Sequence, residues 1–148
     1  MPPPPPPPPP PPEATPQAAP EAEEDGGEEE AHRRLRQEES CSLAEALRLM
    51  ERYARSERVQ RAGLHALGRL AQDAAQLRPL CVAATAVVIE AACRFRGSCA
   101  IQRLAMSAMG NIAYVRAVAA LILPDAVPVV LQAMVAHPTD AKVRSLAC

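Results

Sequence analysis

The sequence predicts an all-α protein, an α-solenoid of helical repeats behind a disordered tail. Three observations lead to this prediction: apolar residues recur at helical spacing, the pattern repeats every 42 positions, and the composition changes near residue 40. Hydrophobic residues make up 49% of the chain but aromatic residues only 2%. Alanine, leucine, valine and methionine must therefore form the core, which suits closely packed helices.

The repeat is clearest around residues 100–113, whose apolar side chains fall on one helical face. A shift of 42 positions in either direction reproduces that face, and the preceding helix obeys the same shift without a gap. A fixed period of about 40 to 47 residues built from helices is typical of solenoids. The aligned triplets are Val59, Ile101 and Val143; Gly63, Ala105 and Ala147; Leu47, Ile89 and Leu131; Met50, Ala92 and Met134; and Tyr53, Phe95 and His137.

Residues 1–40 form the predicted tail. The prolines at residues 2–12 predict an exposed polyproline II rod, because each ring fixes φ and removes an amide donor. Residues 13–39 are acidic and have almost nothing apolar to bury, so we expect disorder, with transient helix at residues 28–39. Ten acids against three arginines give residues 1–40 a net charge of −7, whereas 13 basic and 7 acidic residues give residues 41–148 a net charge of +6.

We expect one folded domain, residues 41–148, whose third unit is incomplete. Val143, Leu146 and Cys148 then leave an uncapped C-terminal edge, whereas terminal repeats normally carry a polar cap. Either the chain is a fragment or truncated isoform of a longer solenoid, or this edge binds another chain. Both interpretations predict low stability or self-association. The predicted units are residues 42–77, 79–116 and 117–148.

In the first unit, Ser42 and Glu45 predict a capping box that starts a helix ending near Ser56. The next helix is predicted over residues 57–77. Gly63 lies inside it and costs about 1 kcal/mol relative to alanine, so we expect this position to need a small residue where two helices cross closely.

In the second unit, a helix is predicted from Pro79, which the first turn tolerates, to Phe95. Ser98 is the predicted N-cap of the following helix, over residues 99–115.

In the third unit, Pro124 is predicted to end a short helix over residues 117–123. Asp125 and Thr139 are the predicted N-caps of the two remaining helices, which cover residues 126–136 and 141–148.

Residues 105–113, read AMSAMGNIA, closely resemble the last-helix motif of the armadillo-repeat family, which reads roughly AAWALSNLA. Residues 63–71, read GLHALGRLA, are similar but weaker. The resemblance covers residues 42–148. Armadillo repeats are favoured over HEAT repeats by the 42-residue spacing, the GNIA ending and the short segment before Pro124, which looks like the first of three helices in a unit.

The resemblance implies that the last helices line a concave groove. In the family, an Asn near the end of that helix bonds the backbone of an extended peptide, and a Trp four positions earlier packs on its side chains. Asn111 matches the Asn, and Ser107 stands at the Trp position. In the first unit, Arg69 and His65 stand at these two places. The resemblance therefore indicates the location of a groove better than its ligand.

Polar side chains are expected on or beside the polar side of these helices. Guanidinium groups pair bidentately with carboxylates, so an arginine-rich groove with side-chain amides suits an acidic or extended peptide. The alternative is that these residues are simply the solvated faces of amphipathic helices. The candidate groove residues are Arg61, His65, Arg69, Gln102, Arg103, Ser107 and Asn111.

The sequence thus predicts a non-enzymatic scaffold or adaptor that binds a partner protein in the groove. A second hypothesis is that the prolines of residues 2–12 dock on SH3, WW or profilin-type domains while the repeats act as an anchor. A further hypothesis is that acidic residues 21–30 fold back on the basic groove and compete with partners. Removal of residues 1–40 would then tighten partner binding, more so at low salt.

Nucleic acid is a weaker alternative as a partner. The basic body attracts phosphate, but its aromatic residues Tyr53, Phe95 and Tyr114 are all expected on apolar faces, where they cannot stack on bases.

Catalysis, cofactors and metals have little support in the sequence. The three histidines are far apart, and His137 aligns with aromatic residues, which indicates a place at the boundary of the core. Cys93 and Cys99 flank a turn without a nearby histidine to complete a zinc site. We therefore expect no enzyme activity, cofactor or metal.

The cysteines and the apolar runs predict a cytoplasmic or nuclear protein. Five cysteines without a CxxC pair, and without a signal peptide before them, indicate reduced and largely buried thiols. The apolar run at residues 80–89 stops at Glu90, and residues 117–135 contain two prolines and an aspartate. Neither reaches the roughly 20 apolar residues of a membrane-spanning helix, so we expect no membrane.

Overall fold

The computed structural model describes residues 22–37, 41–73, 78–114 and 116–147. Within these ranges the chain forms seven α-helices and no strand, as the predicted all-α class requires. The proline run at residues 2–12 lies outside the described residues, as do Val115 and Cys148 and the predicted end of the second helix at residues 74–77. The helices are α1 (Ala22–Arg36), α2 (Leu43–Arg52), α3 (Glu57–Asp73), α4 (Arg78–Arg94), α5 (Cys99–Ala113), α6 (Arg116–Ala136) and α7 (Ala141–Ala147).

The helices pack in two rows. In the odd row, α3 packs against α1 and α5, and α5 packs against α7; in the even row, α4 packs against α2 and α6. Successive helices also pair across the rows, as α2 with α3, α4 with α5, and α6 with α7. The helices α3, α5 and α7 begin at Glu57, Cys99 and Ala141, so the 42-residue period of the sequence is kept in the helix starts.

A buried glutamine joins the two helices of each of the first two pairs. The Nε2 of Gln60 in α3 donates to the carbonyls of Met50 (2.7 Å) and Tyr53 (3.1 Å), at the C-terminal end of α2. The Nε2 of Gln102, 42 positions later, makes the same two bonds to the end of α4. The last carbonyls of a helix have no partner within it, and the glutamines supply one to the carbonyls of Met50 and Ala92. The other two carbonyls also accept a backbone N–H, from Ser56 and Ser98.

The N-caps of the odd-row helices also follow the period. The Oγ of Ser56 accepts from Val59 N (3.1 Å), and the Oγ of Ser98 accepts from Ile101 N (3.4 Å), as predicted for Ser98. The third cap is Asp140, whose Oδ1 accepts from Val143 N (2.9 Å). Thr139 was the wrong choice, because the cap lies one residue later, in register with the two serines.

Of the two bonds in the predicted capping box at the start of α2, the structure has the bond to the Ser42 side chain. The Oγ of Ser42 accepts from Glu45 N (3.2 Å), whereas the carboxylate of Glu45 accepts from Arg34 Nη1 (2.8 Å). Glu45 thus links α2 to α1.

The prediction of a disordered tail is wrong for residues 22–36, which form α1. Ala31 and Leu35 are four residues apart on one face of this helix, and each is only 1% exposed. Acidic residues fill the first half of α1 and Arg33, Arg34 and Arg36 its last turn, an order that complements the helix dipole. The packed body therefore begins before residue 41, because one apolar pair suffices to dock an otherwise polar helix.

An ion pair, a hydrogen bond and a close approach hold α1 against the start of α3 and the end of α2. Arg58 of α3 donates to both carboxylate oxygens of Glu29 (2.5 and 3.1 Å), and the Oγ of Ser56 donates to Glu28 (2.6 Å). A side chain at Gly27 would meet the hydroxyl of Tyr53, so glycine lets α1 approach closely there. The Gly26-Gly27 pair, which suggested disorder, includes a packing position.

Replacement of Leu35 by alanine tests whether α1 is docked. We expect Leu35→Ala to lower the free energy of unfolding by about 2 to 5 kcal/mol, since it removes a fully buried side chain. Arg33→Ala, at an exposed position of the same helix, is the control and should change it by less than about 0.5 kcal/mol. Equal, negligible effects in urea unfolding would show that the helix does not pack on the body.

The third unit differs from its prediction, because α6 runs continuously through Pro124 and Pro128. Asp125 therefore lies inside the helix and is not an N-cap. Each proline inside a helix costs about 3 kcal/mol, through the lost hydrogen bond and the clash of its ring, whereas each fully buried aliphatic side chain contributes about 1.5 to 3 kcal/mol, so several buried side chains can outweigh two prolines. The buried stripe crosses both prolines without a break; it consists of Val118, Ile122, Ala126, Val129 and Ala133.

The continuous helix has two consequences. The short segment before Pro124 that favoured armadillo over HEAT repeats is part of α6 and not a helix of its own. By length and composition alone, Val118–Ala136 is also apolar enough to cross a membrane, with a mean hydropathy of 2.0 and 28% of it buried. By this measure the stretch does reach the length and hydropathy that the sequence analysis expected residues 117–135 to miss, despite the two prolines and Asp125.

The residues of the predicted open edge at the C-terminus differ in exposure, and Cys148 lies outside the described residues. Val143 is fully buried, and Leu146 is 37% exposed. Val143 is covered because α7 packs against both α5 and α6.

Gly63 lies where α3 meets α2, as expected for a position that needs a small residue. A methyl group there would overlap Cγ and Sδ of Met50, which is itself only 1% exposed. Gly110, in α5, has open space around it and lies on the surface.

These two glycines allow a matched test of the packing. Gly110→Ala should raise the free energy of unfolding by up to about 1 kcal/mol through helix propensity. Gly63→Ala should lower it by about 1 to 3 kcal/mol through overpacking. Thermal or urea unfolding of both variants measures the contrast, and two changes of the same sign would refute the close contact at Met50.

Candidate functional site

Three of the predicted groove residues lie together. Arg61, His65 and Arg69 are four residues apart along α3 and line one cleft of about 940 Å³ between α1 and α3. Leu104 of α5 closes part of its wall. The full lining is His32, Leu35, Arg36, Glu57, Arg58, Arg61, Ala62, His65, Arg69 and Leu104.

The lining is predominantly basic. Arg58 pairs with Glu29 of α1, while no ion pair within the described residues reaches Arg36 or Arg61. Glu57, the acid of the lining, accepts from the Oγ of Ser98 (2.6 Å). The cleft therefore presents guanidinium groups whose charge is only partly compensated.

His32 reports the same positive environment. Its pKa is lowered from the usual value by burial, and next by the nearby cation of Arg58. Both effects favour the neutral imidazole at physiological pH. An anion bound in the cleft would act in the opposite direction and favour protonation.

Gln102 does not belong to a groove. Its side chain is 2% exposed and bonds to the carbonyls of Ala92 (2.8 Å) and Phe95 (3.2 Å), so it holds α5 to α4. The polar character of glutamine suggested a surface position, but the helix ends it satisfies lie inside.

Arg103 lies apart from the α1–α3 cleft, beside a second hollow of about 740 Å³ formed with α7. Its guanidinium pairs with Asp140, Nη2 to Oδ2 at 2.5 Å, and Cys99 Sγ donates to the same oxygen at 2.5 Å. The bond from Arg103, and next the bond from Cys99, hold the pKa of Asp140 well below its usual range. The bond to Asp140 in turn raises the pKa of Cys99. Arg103 was expected to pair with a carboxylate of a partner, but it already pairs with Asp140 of its own chain.

Asn111 and Ser107 lie on α5, beside α3. The Nδ2 of Asn111 donates to the carbonyl of Gly68 at 2.8 Å, so this amide joins neighbouring odd-row helices. Ser107 is half-buried. The armadillo resemblance implies that Asn111 bonds the backbone of a bound peptide. In the structure its amide bonds a backbone carbonyl of the chain itself.

The sequence analysis missed the contribution of α1 to this site. His32, Arg36 and the apolar wall of Leu35 were assigned to the tail. Ala31 and Leu35, spaced four apart, with Leu35 between the arginines of the last turn, were the signal that this segment is a docked helix.

Other predicted features can be placed as well. Tyr114 was expected on an apolar face, but it is 90% exposed. His137 is partly buried, with its Nε2 2.8 Å from the carbonyl oxygen of Arg96. No disulfide joins the described cysteines, of which Cys41 and Cys81 are buried. Within the described residues, no three His, Cys, Asp or Glu side chains group as metal ligands do.

No protein-family model, curated protein or solved structure matches this chain. The site must therefore be interpreted from its own geometry.

Asp140→Asn tests the pair with Arg103. The variant keeps a side-chain oxygen to cap α7 but removes the charge. Because the folded state lowers the pKa of Asp140, the stabilisation is present above the ordinary value near ~3.9 and is lost as the pH falls towards the lower folded pKa. We expect wild type to be more stable at neutral pH, and the difference to shrink below about pH 4.

Urea unfolding of both proteins across this pH range measures the effect. Asp125→Asn, on the exposed surface of α6, is the control for removing a carboxylate. A difference between wild type and Asp140→Asn that persists unchanged into acid would contradict the assignment.

Proposed function

We propose that this chain is a non-enzymatic protein-interaction module, an armadillo-type α-solenoid that binds an acidic, extended segment of a partner protein in the α1–α3 cleft. One observation carries the proposal: Arg58, in the lining of the cleft, already holds the carboxylate of Glu29 through two hydrogen bonds. The chain thereby contains an example of the recognition that we propose for a partner. Such a module would act in the cytoplasm or nucleus, where its cysteines stay reduced.

Repetition of contacts supports the solenoid architecture. The 42-residue period recurs in the starts of α3, α5 and α7, in the bonds of Gln60 and Gln102, and in the caps Ser56, Ser98 and Asp140. Equal contacts at equal spacing are what stacked repeats produce, since each unit packs on its neighbours in the same way. The motif at residues 105–113 favours the armadillo type.

The shape and charge of the cleft support an acidic ligand. Arg36 and Arg61 are exposed within it, and guanidinium groups bind carboxylates in a two-pronged geometry that ammonium groups cannot match. The apolar side chains of Leu35, Ala62 and Leu104 lie beside them. A segment that alternates acidic and small apolar residues fits this lining.

The contact of α1 with α3 supports competition between the acidic segment and partners. Glu28 and Glu29 belong to the acidic stretch for which fold-back was proposed, and they bond to Ser56 and Arg58. A partner carboxylate would replace Glu29 on Arg58. Glu29→Gln is a cleaner test of competition than removal of residues 1–40, because the deletion would also remove the buried Leu35.

Charge reversal in the cleft tests the proposal. With a fluorescent polyglutamate peptide as the probe, Arg61→Glu should weaken binding about tenfold or more, a change of about 1.4 kcal/mol. Arg48→Glu reverses an exposed arginine on α2, in the even row, and should bind as wild type does. Fluorescence anisotropy at low and high salt measures both, and wild-type binding should weaken with salt.

The same assay separates the alternatives. Glu29→Gln should bind the probe more tightly than wild type at low salt. Equal losses in Arg61→Glu and Arg48→Glu would mean that the peptide responds to net charge and not to the cleft. Absence of binding to wild type at low salt would overturn the proposal.

A further inference from the structure

The α1–α3 cleft holds more positive charge than a single carboxylate can neutralise. Arg36 of α1 and Arg61 of α3 are exposed in its lining, and no ion pair within the described residues reaches either of them. Arg58 shows what one carboxylate does, because this single guanidinium takes up both oxygens of Glu29. The charges of Arg36 and Arg61 are left for a ligand.

The positions of these cations along the two helices follow from the contact of Glu29 with Arg58. Residues of α1 after Glu29 share the cleft with residues of α3 after Arg58, so the two helices run in the same direction. Both helices rise by about 1.5 Å per residue. In this register His32 and Arg61 are level, each three residues beyond the ion pair, and Arg36 lies one turn further along α1.

The pKa of His32 independently places two guanidinium groups near its imidazole. Burial lowers this pKa first, and the cation of Arg58 lowers it next. The cation of Arg36 acts in the same direction, whereas Glu28 and Glu29 oppose it. Because the interaction of charges weakens with distance, Arg36 and Arg58 both lie close to His32. The imidazole can donate an N–H to an anion bound among these arginines.

A phosphate monoester matches this arrangement better than a carboxylate does. It carries about −1.5 to −2 charges at pH 7 and three strong acceptor oxygens. One phosphoryl group can therefore accept from guanidinium groups on both walls of the cleft at once, whereas the oxygens of a carboxylate are filled by one guanidinium. Clusters of arginine are a recurring means of recognising phosphorylated segments.

The rest of the lining favours a peptide as the carrier of the phosphate. Leu35, Ala62 and Leu104 give the cleft an apolar wall against which short side chains can pack. The part of the chain that the structure describes contributes no Tyr, Phe or Trp to this lining, so the bases of a nucleic acid would find no aromatic platform there. The phosphodiesters of a nucleic acid also carry only one charge each.

We propose that the cleft binds a phosphorylated serine or threonine of a partner segment, whose phosphoryl group lies between Arg36 of α1 and Arg61 of α3, beside His32. Each arginine donates to phosphate oxygens, and His32 adds a further donor. The site only recognises the phosphate, which a protein kinase has already transferred from ATP to the partner. It rests on the proposed function, since it specifies the ligand of the same cleft, and it makes binding depend on phosphorylation of the partner.

Fluorescence anisotropy with three matched peptides tests the site on the full chain. Each peptide alternates glutamate and alanine, and its central residue is phosphoserine, glutamate or serine. Wild type should bind the phosphoserine peptide at least about tenfold more tightly than the glutamate peptide, a difference of about 1.4 kcal/mol in binding free energy. The serine peptide should bind no more tightly than the glutamate peptide.

Variants on the two walls locate the phosphate. Arg36→Gln and Arg61→Gln should each reduce the preference for phosphoserine over glutamate to less than about threefold, because one of the two guanidinium groups that share the phosphate is gone. Arg33→Gln removes the same charge from an exposed position of α1 outside the lining and should keep the full preference. Circular dichroism should show unchanged helix content in all three variants.

Four results separate the outcomes. Equal binding of the phosphoserine and glutamate peptides, with both weakened by Arg61→Glu, would overturn the phosphate site and leave the proposed function standing. Absence of binding to all three peptides would overturn both. A preference that survives Arg36→Gln and Arg61→Gln, or is lost equally in Arg33→Gln, would place the phosphate outside the cleft. Displacement of the phosphoserine peptide by oligouridylate at a lower concentration than by unlabelled phosphoserine peptide would assign the cleft to a nucleic-acid backbone and overturn the site.

Discussion

The bond from a buried glutamine to the end of the preceding helix is the interaction on which the described architecture depends most. Gln60 and Gln102 each donate to two carbonyls at the last turn of the even-row helix before them. The bonds join the end of one helix to the first turn of the next, and a planar amide reaches both oxygens in few arrangements. Each unit thus sets its own geometry, and the shift of 42 residues carries that geometry to the next unit.

The helix α1 extends this organisation at the N-terminal side. The Oγ of Ser56 donates to Glu28 of α1 as the Oγ of Ser98 donates to Glu57 of α3. Although α1 lacks the repeat motif, it takes the place of a further odd-row helix. Its packing buries Leu35, and its position creates the basic cleft with α3. Glu28 and Glu29 of α1 bond to Ser56 and to Arg58, and Arg58 lines the cleft.

The even row is asymmetric, and this gives the molecule its second surface. The side of α4 that carries Cys81 and Thr85 is buried, while the equivalent side of α6 is exposed. The same helix side is thus buried in α4 and exposed in α6. The two surfaces differ in chemistry as well, since the cleft is lined by basic residues and the exposed side of α6 is apolar.

The sequence by itself determined the all-α class, the 42-residue period, Ser98 as an N-cap and Gly63 as a packing position. These features are local or periodic: a helix face repeats every 3.6 residues, and a cap or a glycine acts on its immediate neighbours. The tertiary structure decided the rest. Leu35 docks a helix only because α3 presents a face for it, and α6 crosses two prolines only because its buried stripe packs on α4 and α5. Gln102 is polar in sequence and buried in the fold because its partners are carbonyls ten and seven residues earlier, across a turn. Such outcomes depend on free energies summed over contacts between distant residues, and those contacts exist only once the helices have packed.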